Sequence, residues 1–223
     1  MAITGSCTGI GYATAKAFIQ AGASSVIILS RESTRSKQAC EDLAKEIASS
    51  KTRILSRVCD INDDASVENF WKSLAEDGIF IDLLVLNTTD PTSGSMVPLL
   101  DNIPTLKSVF NANVFGNALM AAHFLNVPND TKAPKALINV STASAHCNPL
   151  PTQALYGSSK AAFACLLQHI AEEISHERCQ ILNFHPGVIF TAGFERVATE
   201  ELKNFMVPDQ GEYSTLQLRR ASL

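Results

Sequence analysis

Tyr156 and Lys160, in the run Tyr156-Gly157-Ser158-Ser159-Lys160, carry the side chains best suited to chemistry in this chain. On a helix, residues four apart share a face, so a phenol and an ammonium can point into one pocket. A free tyrosine has a pKa of roughly 10 and is a poor base at neutral pH. A fixed positive charge beside it favours the phenolate and lowers that pKa. Moving it by about three units takes roughly 4 kcal/mol of differential interaction, within reach of a partly desolvated cleft. Such a pair can pass a proton to or from an alcohol or a carbonyl. The bland reading of the same spacing is a snorkelling lysine beside a packed tyrosine. The pair therefore takes its meaning from the rest of the chain.

A second chemical feature opens the sequence, Thr4-Gly5-Ser6-Cys7-Thr8-Gly9-Ile10-Gly11, followed by a helical stretch to Ala21. Gly5, Gly9 and Gly11 allow a tight turn and close approach of backbone to a diphosphate. The helix behind them supplies free N–H groups and a positive dipole end. A strand follows, which is the setting a dinucleotide loop requires. That strand ends Leu29-Ser30-Arg31. An acidic residue there would read the ribose 2′-hydroxyl of NAD, whereas Arg31 can pair with the 2′-phosphate of NADP.

The elements that must position these groups are visible as alternating patterns. Val26 to Leu29, Ile54 and Leu55 with Val58, Leu83 to Leu86, Ala136 to Val140 and Ile181 to Phe184 read as buried strands. Val67, Phe70, Trp71 and Leu74 recur at helical spacing, as do Phe163, Leu166, Leu167, Ile170 and Ile174. Leu106, Val109, Phe110 and Phe124 predict one long helix before the Ala136 strand, and Asp63-Asp64 reads as a helix start. Strand–helix alternation implies a parallel sheet covered on both faces, with ligands beyond the carboxyl ends of its strands.

Composition bounds the function. The chain has 223 residues, 46% hydrophobic and 18% charged, which suits one globular α/β domain. A net charge of −4 argues against nucleic acid or an anionic membrane as partner. No apolar run approaches the ~20 residues of a membrane span, and Met1-Ala2-Ile3-Thr4 carries no signal-peptide core. Cys7, Cys40, Cys59, Cys147, Cys165 and Cys179 are scattered, which fits reduced thiols in the cytoplasm rather than a disulfide framework or a metal site.

Taken together, these residues resemble the short-chain dehydrogenase/reductase family from about Ile3 to Thr191, with local phrasing similar to fungal members of secondary metabolism. Thr4 to Gly11 is similar to the family's T-G-x-x-x-G-I-G, which places Gly5, Ser6, Thr8, Gly9, Ile10 and Gly11 against the cofactor. Asp60, followed by Ile61, matches the Asp that approaches the adenine. Leu86-Asn87-Thr88-Thr89 stands where the family has Asn-Asn-Ala-Gly, with only Asn87 retained. Asn113 falls where an Asn holds a water in a proton relay. Ile138-Asn139-Val140-Ser141-Thr142 matches the strand ending at the catalytic serine, here Thr142, with Ser144 or Ser141 as alternatives. Pro186, Gly187, Val188 and Thr191 match the turn that lies along the nicotinamide.

The resemblance implies a Rossmann-like, doubly wound parallel sheet and hydride transfer between NADP(H), or less readily NAD(H), and a carbonyl or secondary alcohol. Asn113, Thr142, Tyr156 and Lys160 would be the catalytic set, with Tyr156 exchanging the proton and Lys160 also reaching the nicotinamide ribose. The partners it implies are a small, moderately apolar substrate and a second copy, as homodimer or homotetramer. The alternative is a non-catalytic cofactor-binding or scaffold protein.

The ends depart from the family. The first strand is shortened to Met1-Ala2-Ile3, and no final Gly-rich strand follows Thr191. The expected division is a domain over 1–206, its Phe190 to Met206 segment a substrate lid, and an atypical tail over 207–223. Cys7, at a helix N-terminus, would have a lowered thiol pKa; a loop-filling role is expected, with redox sensing as the alternative. His146 and Cys147 are candidates for lining the substrate side, while His123, His169 and His176 are expected on helices as surface or packing residues.

Overall fold

The computed structural model describes residues 1–92, 96–127, 133–146, 152–187, 189 and 191. Val188, Cys147, the Phe190 to Met206 segment apart from Thr191, and the 207–223 tail, named above, lie outside the described residues. Six parallel strands form one sheet, in the order β3-β2-β1-β4-β5-β6, flanked by helices. The strands are β1 (Ala2–Ile3), β2 (Ser25–Ser30), β3 (Arg53–Val58), β4 (Leu83–Leu86), β5 (Lys135–Val140) and β6 (Cys179–Phe184). Two compact units make up the chain. One is Met1–Val58 with the described residues from Pro186 onward, and the other is Cys59–His185.

In the first unit β1 is a two-residue strand, and both of its side chains are fully buried. Ala2 pairs with Ile27 and Ile3 with Ile28. The ladder is then continued by a side chain. Ser6 donates its N–H to the Leu29 carbonyl at 3.3 Å, its Oγ accepts from the Leu29 N–H at 2.9 Å, and its hydroxyl donates to the Ile3 carbonyl at 2.8 Å. A loop residue thereby supplies the hydrogen bonds that a longer strand would make. Helix α1 (Gly9–Gln20) follows, and then α2 (Ser33–Glu46). Glu46 on α2 accepts from Tyr12 at 2.8 Å and pairs with Lys16 at 2.6 Å, both on α1.

In the second unit α3 (Asp64–Glu76) starts as its sequence indicates. Asp63 accepts from the Ala65 N–H at 3.1 Å, and Val67, Phe70, Trp71 and Leu74 are all buried. Such a cap contributes about 1 kcal/mol. His123 stacks on Trp71 with ring centroids 6.0 Å apart, so it is a packing residue. After α4 (Met96–Leu100) the expected long helix is interrupted. Helix α5 (Ile103–Phe110) passes into a π-helical stretch, Asn111–Gly116, before α6 (Asn117–Asn126). The apolar spacing runs on through the break, so the period gives no sign of it. The cause lies at Gly116, where a Cβ would sit 2.1 Å from the Ile61 carbonyl oxygen. The backbone there presses against the loop after β3, and the wider turn accommodates that approach.

Helix α6 is closed by cations from later in the chain. Lys135, only 4% exposed, donates to the carbonyls of Phe124, at 2.6 Å, and Val127. Arg178 donates to the Leu125 carbonyl at 2.9 Å. They satisfy C-terminal carbonyls that no helical N–H can reach. Helix α7 (Ala154–Glu173) buries Phe163 and Leu167, but Leu166 is exposed and Ile174 lies past the helix end.

Candidate active site

In the first unit the Gly-rich loop leaves β1 and runs into α1. Gly5 and Gly9 have φ of +62° and +56°, the left-handed region that favours glycine. Gly11 is buried in the first turn of α1, beside Ile10. Thr8 stands at the N-cap position with extended backbone, and its side chain makes no cap hydrogen bond. The first N–H groups of α1 are therefore not covered by that side chain. This is the donor set an anionic diphosphate requires. Thr191 lies over the turn: a Cβ on Gly9 would come 3.3 Å from its methyl group. Ser6 differs from an open contact residue, because its hydroxyl and N–H are committed to β1 and β2. Arg31 is exposed directly after β2, with Arg35 and Lys37 exposed nearby in sequence. Pro186 and Gly187, the latter at φ +90°, form the turn after β6.

Cys7 departs from the expectation for a helix N-terminus. Burial pushes its thiol up, outweighing a hydrogen bond from Ser30 and the charge of Arg35. It fills the loop rather than presenting a thiolate.

The second unit assembles the proton-handling groups. Thr142 follows β5 and caps the short 3₁₀ turn Ala143–Ala145, its Oγ1 accepting from the Ser144 N–H at 3.3 Å. The Tyr156 phenol lies on the first turn of α7, where the hydroxyls of Thr142 and Thr89 act to lower its pKa. The other candidate hydroxyls are differently placed. Ser141 Oγ is buried without a partner, and Ser144 is buried under Gly157. A Cβ at Gly157 would stand 2.6 Å from the Ser144 carbonyl oxygen, so glycine lets α7 approach the turn that carries Thr142. Sequence reading missed Gly157. Its signal was a glycine inside a helix, which costs about 1 kcal/mol relative to alanine and so points to a close contact.

Lys160 lies one turn along α7, 1% exposed, and donates to the Val140 carbonyl at 2.7 Å. Burial lowers its ammonium to about 8. The expected direction for Tyr156 is reversed. Burial raises the phenol above its ordinary value, and the hydrogen bonds from Thr142 and Thr89 only partly offset this. Desolvation opposes both charges and sets both directions. A pattern of spacing reports the shared face but not the depth of burial.

Asn113, in the π-helical stretch, is fully buried and saturated by protein groups. Its Nδ2 donates to the Asp90 carbonyl and to Ser159 Oγ, both at 2.9 Å. Its Oδ1 accepts from the Asp90 N–H at 2.7 Å and from the Thr89 hydroxyl at 2.9 Å. The side chain expected to support a water is thus occupied by Asp90, Ser159 and Thr89. Asn87 lies directly after β4. Asp60 lies after β3, its Oδ1 accepting from the Asn62 N–H at 3.0 Å, and Ile61 is buried against Gly116. Among the described residues no cluster of three or more His, Cys, Asp or Glu could hold a metal ion.

Residues 1–202 match the family model for short chain dehydrogenases. The chain belongs to the short chain dehydrogenase family. This dehydrogenase is 29% identical, over 89% of its length, to the short chain dehydrogenase/reductase nsrO of Aspergillus novofumigatus, of which it spans 67%. It is 31% identical, over 85% of its length, to a short chain dehydrogenase/reductase of Claviceps purpurea, of which it spans 62%. Among solved structures it is similar to an actinorhodin polyketide ketoreductase variant crystallised with NADPH. The TM-score is 0.81 at 18% identity, covering 98% of this chain and 88% of that one. At that identity the likeness concerns the fold.

Proposed function

We propose that this short chain dehydrogenase is an NADP(H)-dependent oxidoreductase that reduces the carbonyl of a small, moderately apolar organic molecule to a secondary alcohol. The observation that carries the reading is the buried ammonium of Lys160, held by the Val140 carbonyl one helical turn from Tyr156, with Thr142 directly after β5. The raised phenol pKa keeps Tyr156 protonated at neutral pH, the form a proton donor needs. In reduction, the Tyr156 O–H bond breaks as its proton passes to the substrate oxygen. The Thr142 hydroxyl orients that oxygen and stabilises charge developing on it. Lys160 supplies a cation in a desolvated setting, where its attraction for a forming phenolate is strongest.

NADPH, when bound, supplies the hydride. Gly5, Thr8, Gly9, Ile10, Gly11 and Thr191 would hold its diphosphate side and Arg31 its 2′-phosphate. Asp60, Ile61 and Asn87 would line the adenosine side, and Pro186, Gly187 and Val188 the nicotinamide side. The exposed Arg31 directly after β2 carries this choice over NADH. Exposed Phe115, and Leu166 on α7, offer apolar faces for a homodimer or homotetramer. The test is NADPH oxidation over a panel of ketones and aldehydes, with Tyr156→Phe alongside. Turnover by the native chain and its loss in Tyr156→Phe are expected. NADPH binding without turnover across the panel would instead support a non-catalytic role.

A further inference from the structure

The first turn of α7 is tied down by a residue that the reductase reading does not use. We propose that Ser159 is a positioning residue, whose hydroxyl joins Asn113 to the backbone of Tyr156 and so sets where the phenol stands. The proposal rests on the reductase reading and adds a residue to it.

Ser159 lies between Tyr156 and Lys160 on α7 and is fully buried. Its Oγ accepts from Asn113 Nδ2 at 2.9 Å and donates to the Tyr156 carbonyl at 2.8 Å. A hydroxyl has one proton and two lone pairs, an amide nitrogen only donates, and a carbonyl only accepts. Each bond therefore has one possible direction, and the hydroxyl cannot turn without breaking one of them. Asn113 is held as firmly. Its Nδ2 also donates to the Asp90 carbonyl at 2.9 Å, and its Oδ1 accepts from the Asp90 N–H at 2.7 Å and from the Thr89 hydroxyl at 2.9 Å. Reversing the amide would set Nδ2 against the Asp90 N–H, a donor against a donor. Asp90 is fixed in its own turn, its Oδ1 accepting from the Thr92 N–H at 2.9 Å. A line of directed bonds thus runs from the loop after β4, through Asn113 in the π-helical stretch, to the backbone of Tyr156.

A serine that bonds back to the carbonyl three residues earlier is ordinary in a helix and acts only locally. The exposed Ser158 does just that, donating to the Leu155 carbonyl at 3.1 Å. Ser159 differs because a second, buried side chain donates to it. Other contacts of this turn come from the β5 side: Gly157 lies against the Ser144 carbonyl, and Lys160 holds the Val140 carbonyl. Without the Ser159 hydroxyl those contacts remain, but the tie to the loop after β4 is lost. An Asn113 N–H is then buried without an acceptor, a state the side chains relieve by moving. Proton transfer is sensitive to such movement, since a displacement of about 1 Å can lower a rate about a hundredfold.

The test compares Ser159→Ala with Ser158→Ala in steady-state reduction of a carbonyl that the native chain turns over. Ser159→Ala is expected to lower kcat about tenfold to a hundredfold and to leave KM within about twofold of native. Ser158→Ala changes neither. Ser159→Thr keeps a hydroxyl that can reach the same carbonyl, and restores most of kcat. In an Asn113→Ala background, Ser159→Ala lowers kcat no more than about twofold further, because its effect passes through Asn113. An unchanged kcat in Ser159→Ala, a loss confined to KM, or full additivity with Asn113→Ala overturns the proposal. A second readout needs no substrate. With tyrosine labelled by ¹³C at Cζ, Tyr156→Phe assigns the Tyr156 signal among the three tyrosines of the chain. Ser159→Ala is expected to displace that signal and to speed solvent exchange of the Asn113 side-chain N–H, whereas Ser158→Ala does neither. A Tyr156 signal that stays in place overturns the proposal. A native chain that reduces no carbonyl refutes the reductase reading, while the labelled phenol still decides whether Ser159 positions Tyr156.

Discussion

Replacing Lys160 with methionine should stabilise the ligand-free protein near neutral pH while abolishing its activity. The side chain is 1% exposed, and its ammonium is lowered from 10.5 to about 8 by burial. A lysine that binds its proton less tightly when folded makes the unfolded chain the better proton acceptor. Stability then rises with pH through the window between about 8 and 10.5, and below that window the fold carries the full cost of a buried charge. A shift of 10.5 − 8 = 2.5 units, at 1.36 kcal/mol per unit, gives roughly 3 kcal/mol. Methionine fills similar space without a charge and forfeits one hydrogen bond, to the Val140 carbonyl. The measurement is urea unfolding without nucleotide, followed by the fluorescence of Trp71, the single tryptophan of the chain. Buried thiols, and phenols away from position 160, titrate equally in both proteins and cancel in the difference. The stability advantage of Lys160→Met should shrink by about 3 kcal/mol between pH 7 and pH 10.5. A difference that stays flat over that range would refute the argument that Lys160 is held charged at a cost.

Three further outcomes are expected. Gly157→Ala forces a Cβ to 2.6 Å from a backbone oxygen, so it should cost about 1–3 kcal/mol in urea unfolding and separate Tyr156 from Thr142, seen as a fall in kcat. Thr152 holds a φ of +60° just before α7, so Thr152→Gly should raise stability, by up to about 1–2 kcal/mol, where glycine elsewhere in a loop lowers it. Arg31→Ala should weaken NADPH binding roughly tenfold to a hundredfold, the worth of a charge-assisted pair, and leave NADH binding unchanged by fluorescence titration.

The sequence made legible what depends on local period and on order along the chain. The five longer strands stand where their apolar runs are, and the two-residue β1 is where Met1-Ala2-Ile3 has room for it. Tyr156 and Lys160 do share a helix, and Asp63 does cap one. The rest turns on approach and depth, which no period encodes. The π-helical stretch at Asn111–Gly116 arises because Gly116 meets Ile61, 55 residues earlier in sequence. Gly157 carries the same information about Ser144. Thr89 looked like a loss against the pattern Asn-Asn-Ala-Gly, and only the structure shows its hydroxyl bonded to Asn113. The direction of the Tyr156 shift was misjudged because charge proximity can be read from spacing, whereas desolvation requires the surrounding volume.

The capping of α6 by Lys135 and Arg178 has a consequence for how the chain is made. The carbonyls of Phe124, Leu125 and Val127 find their partners eight to fifty-three residues downstream, on β5 and just before β6. During synthesis this helix therefore remains open at one end until Arg178 has left the ribosome, and its last turn closes only as the β5 and β6 region docks. Amide exchange in that turn should accordingly follow the protection of β5 and β6 rather than that of α5. A chain interrupted before residue 178 should expose the same carbonyls to whatever donor comes first.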